Sequence, residues 1–279
     1  MKPLKDILQS AKSYLEDKPA RYSEEIVSFI LQISREDLYL DPEQKISADE
    51  ENTIWFYLEQ CKKNKPLEYI LKTVSFLGRE FQVDSRVLIP RQETEVWLDA
   101  ALKEIAKVDT KGKVLWDLCT GSGCLGISAK LKFPDLHVIL SDLCEEALQV
   151  AYCNARNLNA EVEIRRGSFL EPFEGERADF IFCNPPYVSE EEYKNLDASV
   201  REYEPKKALV ADEKGLYFYR VLSERLPSLL NPGASVFLEI GSGQEESVQN
   251  LFQRDGFESA KVGKDWAGHD RFVFFKSNL

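Results

Sequence analysis

The sequence predicts an α/β protein: a mostly parallel sheet with helices on both faces, preceded by a small all-helical domain. Three observations predict it. From Lys113 onward, short apolar runs with strand character alternate with amphipathic stretches of helical spacing. Before residue 72 the apolar positions recur only at helical spacing. A glycine-rich loop, Asp117-Leu118-Cys119-Thr120-Gly121-Ser122-Gly123, joins the first strand of the alternating region to the helix after it.

In chain order, Leu4, Ile7, Leu8, Ala11 and Leu15 mark a first helix, and Ile26, Phe29, Ile30 and Ile33 a second, with Ser23 and the glutamates after it as its start signal. Ser47-Ala48-Asp49-Glu50 has the spacing of a capping box and opens a third, carrying Ile54, Trp55 and Leu58. Lys18-Pro19 and Asp41-Pro42 separate them. Val74–Phe76 and Phe81–Val83 flank Gly78-Arg79 and predict a β-hairpin. Leu88-Ile89-Pro90-Arg91 leads into a helix from Glu93 to Lys107. Strands follow at Val114–Leu118, His137–Ser141, Val162–Arg165, Phe180–Cys183 and Ser235–Ile240. Helices are expected around Gly126–Leu131, Glu145–Asn157, Gly215–Leu230 and Glu245–Gln253. Two last strands lie near Ser259–Val262 and Phe272–Phe275. The domain boundaries are therefore set at residues 1–72 (helical domain), 73–90 (β-hairpin connector) and 91–279 (α/β domain).

The bulk numbers agree with a folded, soluble chain. Of 279 residues, 43% are hydrophobic and 30% charged, enough for a core and a solvated surface. The formal net charge of −12 disfavours gripping nucleic-acid phosphate and points to a protein or small-molecule partner. No apolar run spans a membrane, and Asp6, Gln9, Lys12 and Glu16 break up any secretory segment, so a cytoplasmic location is expected. Six cysteines without a Cys-x-x-Cys pair, and only two histidines, predict reduced thiols and no metal site.

The glycine loop allows close backbone approach to a ligand, although a tight strand-to-helix turn would use the same residues. The next strand ends in Asp142, where a Rossmann-like fold sets an acid against ribose hydroxyls; an acid there can also cap the following helix. Together they favour a nucleoside cofactor. Gly121, Gly123 and Gly126 fit the dinucleotide spacing, but Asp117 at the end of the first strand would repel a pyrophosphate. An acid there can instead face the cationic methionine part of S-adenosylmethionine. Phe180–Cys183 then runs into Asn184-Pro185-Pro186-Tyr187. The prolines stiffen the chain and remove two donors, Asn184 and the carbonyls can accept from an NH2 group, and Tyr187 offers a flat face. These parts suit the orientation of a planar nitrogen, amide or adenine.

At this point the chain resembles the bacterial peptide chain release factor N5-glutamine methyltransferases. The likeness runs through Val87–Glu95, the glycine loop, Asn184–Tyr187, Glu204-Pro205 with Ala208-Leu209, Gly215-Leu216-Tyr217, and Leu238–Gly241 with Gln244. It implies a Rossmann-like S-adenosylmethionine-dependent fold with a helical domain that helps recognise class 1 release factors. It further implies cofactor contacts from Thr120, Gly121, Ser122, Gly123, Cys124, Asp142, Phe169 and Asn184, beside Asp117 and Cys119 of the same loop. Asn184, Pro185, Pro186 and Tyr187 would hold the glutamine of a Gly-Gly-Gln loop. Arg91, Glu93 and Glu95 would sit near the site, though a solvated helix start explains them equally. Three residues depart from the family pattern: Cys119 replaces the first glycine of the loop, Gln92 a proline, and Ser168 an acid.

The expected chemistry is in-line transfer of a methyl group, with Asn184 Oδ1 and the Pro185 carbonyl taking the two amide protons and Tyr187 stacking on the amide plane. Adenine-N6 methylation of DNA or RNA is the rival activity, with Tyr187 stacking on a flipped base. A cofactor-binding interaction protein without activity is the non-enzymatic alternative.

Overall fold

The computed structural model describes residues 1–277. They group into two units: Met1–Thr73 with Ala198–Tyr203, and Val74–Asp197 with the chain from Glu204 onward.

The first unit is helical. Helices α1 (Leu4–Tyr14), α2 (Ala20–Leu31), α3 (Ala48–Lys62) and α4 (Leu67–Leu71) bury Leu4, Ile7, Leu8, Ile26, Ile54 and Leu58 in one core. The capping box at Ser47 forms as the sequence predicts: Ser47 Oγ accepts from Glu50 N (3.2 Å) and Glu50 accepts from Ser47 N (2.8 Å). Ser23 does not start α2. Pro19, with its fixed φ, precedes the first turn, and Ser23 is buried inside the helix, donating to the Ala11 carbonyl at 3.1 Å. Short elements escape the apolar pattern because they have no period: the paired strands Lys2–Pro3 and Lys45–Ile46, and the helical segments Asp37–Leu40, Leu67–Leu71 and Ala198–Tyr203.

The second unit holds the predicted hairpin, β1 (Thr73–Phe76) with β2 (Arg79–Gln82), followed by helix α5 (Gln92–Ile105). Strands β3 (Val114–Leu118), β4 (His137–Asp142), β5 (Glu163–Arg166), β6 (Ala178–Cys183), β7 (Leu230–Glu239), β8 (Phe257–Lys264) and β9 (Asp270–Ser277) form one sheet in the order β8-β9-β7-β6-β3-β4-β5. Strands β3 to β7 are parallel; β9 is antiparallel to β7, and β8 to β9. Helices α6 (Cys124–Lys132), α7 (Glu145–Asn157), α8 (Tyr217–Arg225) and α9 (Glu245–Arg254) connect them.

Strand alternation builds two cores, one on each face. Leu115, Phe180, Phe182, Phe237 and Phe274 point to one face, where Trp97 meets Phe182 edge-on. Trp116, Ile181, Val236, Leu238 and Phe275 point to the other, with Tyr219, Leu222 and Phe252. The helix expected over Gly215–Leu230 is shorter. Glu213 and Lys214 adopt left-handed backbone before it (φ 56° each), Pro227 ends it by removing a helix donor, and the chain already enters β7 at Leu230. Because β9 runs opposite to β7, its amino end lies at the rim where the parallel strands have their carboxyl ends. That rim is where folds of this kind bind ligands.

Candidate active site

The glycine loop leaves β3 and is pinned at both ends. Thr120 N donates to the Ser141 carbonyl (3.0 Å) and Gly123 N to the Thr120 carbonyl (2.8 Å). Asp117 is wholly buried beneath it. Its Oδ2 accepts from Thr120 Oγ1 (2.6 Å) and Gly126 N (2.9 Å), while Oδ1 has no partner. Burial pushes this carboxyl up to about 7, against the pull of those two bonds. Gly126 is required by close approach: a Cβ there would lie 2.2 Å from Leu140 Cδ2 and 3.0 Å from Asp117. The third glycine of the spacing thus serves helix–strand packing and gives its N–H to Asp117. Cys119 occupies left-handed backbone (φ 55°), the conformation for which a glycine would be the usual choice.

Of the two tasks that the sequence left open for it, Asp142 performs the second, at the helix start, and it also ties down the glycine loop. Its Oδ1 accepts from Cys144 N (2.9 Å) at the start of α7, and its Oδ2 from Gly121 N (3.0 Å) of the loop. Burial raises its pKa. Asp142 also lines a cavity of about 460 Å³ at the carboxyl rim. Cys119, Gly121, Phe169 and Pro186 line the same cavity. Phe169, in left-handed backbone (φ 52°), meets Phe218 edge-on with centroids 5.0 Å apart. Thr120, Ser122, Gly123 and Cys124 are buried and do not line the space, and neither does Asp117. The Cys124 thiol is pushed up to about 12 by burial.

Sequence reasoning missed part of the lining. Leu143 and Lys207 border the cavity, as do Phe218 and Arg86. Leu143 carried a usable signal, a large apolar residue directly after an acid at a strand end, and it is 66% exposed. Lys207 carried none; its Nζ lies 2.7 Å from Cys144 Sγ, sixty-three residues away in sequence.

Asn184 to Tyr187 follow β6 beside the cavity, with Asn184 and Tyr187 half-buried and both prolines buried. Tyr187 is held at both ends. Its carbonyl accepts from Gln244 Nε2 (3.0 Å), and Gln244 Oε1 accepts from Gly241 N (3.0 Å). Its hydroxyl donates to Glu239 Oε1 (3.1 Å). Burial and the neighbouring Glu239 carboxylate push the phenol well above its usual range. Gly215 packs against the Tyr187 carbonyl so tightly that a Cβ would lie 2.0 Å away.

Glu239 is the residue that sequence reasoning named only within a motif. It is buried at the end of β7, and its Oε2 accepts from Thr94 Oγ1 (2.6 Å) and Trp97 Nε1 (2.7 Å) of α5. Burial raises its pKa. Of the segment expected near the site, Thr94 is therefore the side chain that reaches the tetrapeptide's support. Arg91 pairs with the buried Glu204, which also accepts from Ile89 N (3.1 Å).

Among the described residues no group of three or more His, Cys, Asp or Glu could hold a metal ion, and no helix is long and apolar enough to cross a membrane.

Comparison with known proteins identifies the lineage. Residues 6–71 match the PrmC N-terminal domain and residues 98–202 the methyltransferase small domain. A release factor glutamine methyltransferase of Chlamydia trachomatis serovar L2 is 37% identical, covering 98% of this chain and 94% of its own. The chain belongs to the release factor glutamine methyltransferase family. A second member, from Clostridium acetobutylicum, is 36% identical over 97% of both chains. The family and fold make this protein an S-adenosylmethionine-dependent methyltransferase. Among solved structures, a methyltransferase of Pyrococcus furiosus aligns with a TM-score of 0.55 at 18% identity, covering 79% of this chain and 98% of its own. A T. thermophilus 16S rRNA methyltransferase aligns at 0.51 and 16% identity over 74% of this chain and 49% of its own. Both show the Rossmann-like methyltransferase fold.

Proposed function

We propose that this enzyme methylates the side-chain amide nitrogen of the glutamine in the Gly-Gly-Gln motif of class 1 peptide chain release factors. One observation carries the reading to this site. Pro186 belongs to the tetrapeptide and also lines the cavity, so an amide held by Asn184–Tyr187 lies against the cofactor's space. The curated relatives that match along nearly the whole chain are named release factor glutamine methyltransferases.

The cavity suits S-adenosylmethionine in size and chemistry. Asp142 offers a carboxylate for ribose hydroxyls, Phe169 an aromatic face for adenine, and Cys119 and Gly121 backbone at close range. Asp117, Thr120, Ser122, Gly123 and Cys124 would act from behind, by fixing the loop. Bound there, the cofactor supplies a methyl group on a sulfonium whose leaving group is neutral.

The protein's task is then to position a poor nucleophile. Asn184 Oδ1 and the Pro185 carbonyl accept the two amide protons and aim the nitrogen. Tyr187, its hydroxyl tied to Glu239 and its carbonyl to Gln244, stacks on the amide plane. No base is required before attack, because the methylated nitrogen is acidic and loses its proton afterwards. The helical residues 1–72 contribute to recognition of the release factor.

The test is mass spectrometry of a purified release factor incubated with enzyme and S-adenosylmethionine, with DNA as the control substrate. A methyl group on the Gly-Gly-Gln glutamine is expected; methylation of DNA alone would overturn the reading. Asn184→Ala should abolish turnover while calorimetry still detects cofactor binding. Near-normal turnover in that variant would sink the mechanism.

A further inference from the structure

The turn between β8 and β9, Asp265–His269, stands at the same rim as the tetrapeptide. Phe272 pairs with Glu239 in the β9–β7 ladder, and Ile240 N donates to the Arg271 carbonyl (2.8 Å), so the turn begins just past Glu239. With strands about 4.8 Å apart, β9 lies roughly 10 Å from β6, which ends in Asn184. Arg271 is close enough to Tyr187 and Glu239 to interact with both electrostatically.

The turn is built to hold its shape. Asp265 is buried, and its Oδ1 accepts from Ala267 N (2.9 Å) and His269 N (3.0 Å). Its Oδ2 accepts from Arg271 Nε (3.2 Å) and Nη2 (3.0 Å). Asp265 N donates to the His269 carbonyl (2.9 Å), and Gly268 N to the Asp265 carbonyl (3.0 Å). Yet Trp266, next to this anchor, is 88% exposed, whereas Trp97 and Trp116 are wholly buried. A large flat side chain on ordered backbone gives up little conformational freedom when it is covered, which is why tryptophan concentrates at binding hot spots.

We propose that Trp266 is a docking residue for the protein substrate, packing against the polypeptide segment next to the methylated glutamine. The inference rests on the substrate reading above and adds a recognition element to it. A glycine-flanked glutamine presents backbone without side chains, a surface that an indole face can cover closely. Trp266 does not line the cavity and is almost wholly exposed, so it acts on capture of the substrate and leaves the methyl-transfer step alone.

The experiment compares wild type, Trp266→Ala and Trp266→Phe in steady-state methylation of an intact class 1 release factor, with sedimentation of each enzyme alone. Because Trp266 is exposed, the substitutions should leave the fold and the cofactor KM unchanged. Trp266→Ala is expected to raise KM for the release factor about tenfold, with kcat within about twofold, and Trp266→Phe to recover most of the loss. A Trp266→Ala enzyme that methylates the release factor with wild-type KM overturns this inference alone. So does a wild-type dimer that dissociates on substitution with KM unchanged, since Trp266 would then serve self-association. A wild-type enzyme that leaves every release factor unmethylated overturns the substrate reading and this inference with it.

Discussion

Replacing Glu239 with alanine strands three donors at once: Thr94 Oγ1, Trp97 Nε1 and the Tyr187 hydroxyl. A buried donor left without a partner costs about 1–3 kcal/mol. The two hydroxyls can rotate toward other acceptors, but the indole N–H is fixed. Loss of the carboxylate also relieves its own desolvation, which raises its pKa in the native protein. The balance is a loss of about 2–5 kcal/mol in Glu239→Ala. Glutamine behaves differently. Its oxygen can keep Thr94 and Trp97, and its NH2 can donate to the Tyr187 oxygen, so Glu239→Gln should lose only about 1–2 kcal/mol. Activity should follow the same order. Untying Tyr187 should lower kcat about tenfold or more in the alanine variant without changing cofactor affinity, and glutamine should restore most of it. Urea unfolding followed by circular dichroism, with parallel methylation kinetics, reads both. An alanine variant as stable as wild type, or one with unchanged kcat, would refute the assignment of Glu239 as the anchor of Tyr187.

Substitutions at three other positions probe the frame of the site. Asp117 has its pKa raised from 3.8 to about 7 by burial, so the folded state holds this proton more tightly than the unfolded state. Its contribution is complete below about pH 4 and is lost as pH rises to about 7, a few kcal/mol in all; Asp117→Asn should flatten that slope in urea unfolding, and an unchanged slope counts against it. Cys119→Gly should keep cofactor affinity within about threefold, because glycine adopts the left-handed backbone freely, whereas the β-branched Cys119→Val should lose about 1–2 kcal/mol of stability as well as cofactor binding, both read by calorimetry. Gly215→Ala would drive a methyl group into the Tyr187 carbonyl at a position with φ 85°; about 2 kcal/mol or more of stability should go, and kcat with it, by the same unfolding and kinetic assays.

The fold was legible in the sequence because both of its units follow a period. Helical spacing marked the apolar faces of α1 and α3; in α2 it found Ile26 but also counted Phe29, which is exposed, and Ile33, which lies past the helix end. The alternation of Phe180, Phe182 and Phe237 against Ile181, Val236 and Leu238 encodes a sheet covered on both sides. What has no period stayed hidden: the two-residue strand pair, the segment Ala198–Tyr203, and the early entry into β7 at Leu230. The candidate site divides in the same way. Its local parts, the glycine loop, Asp142 and the tetrapeptide, are contiguous and could be read directly. Its support is long-range. Thr94 and Glu239 stand 145 residues apart, Tyr187 and Glu239 52 apart, and Lys207 and Cys144 63 apart. No spacing rule reaches across such separations, because they are set by strand order, and the order places β7 beside β6. The same geometry explains why Asp117, read as facing a cofactor, lies under the loop. A residue within the last turn of a strand alternates between faces, and Asp117 falls on the side of Gly126 and Leu140, where α6 covers it. Its carboxylate accepts from Thr120 and Gly126, and Cys119, two residues on and half-buried, lines the cavity.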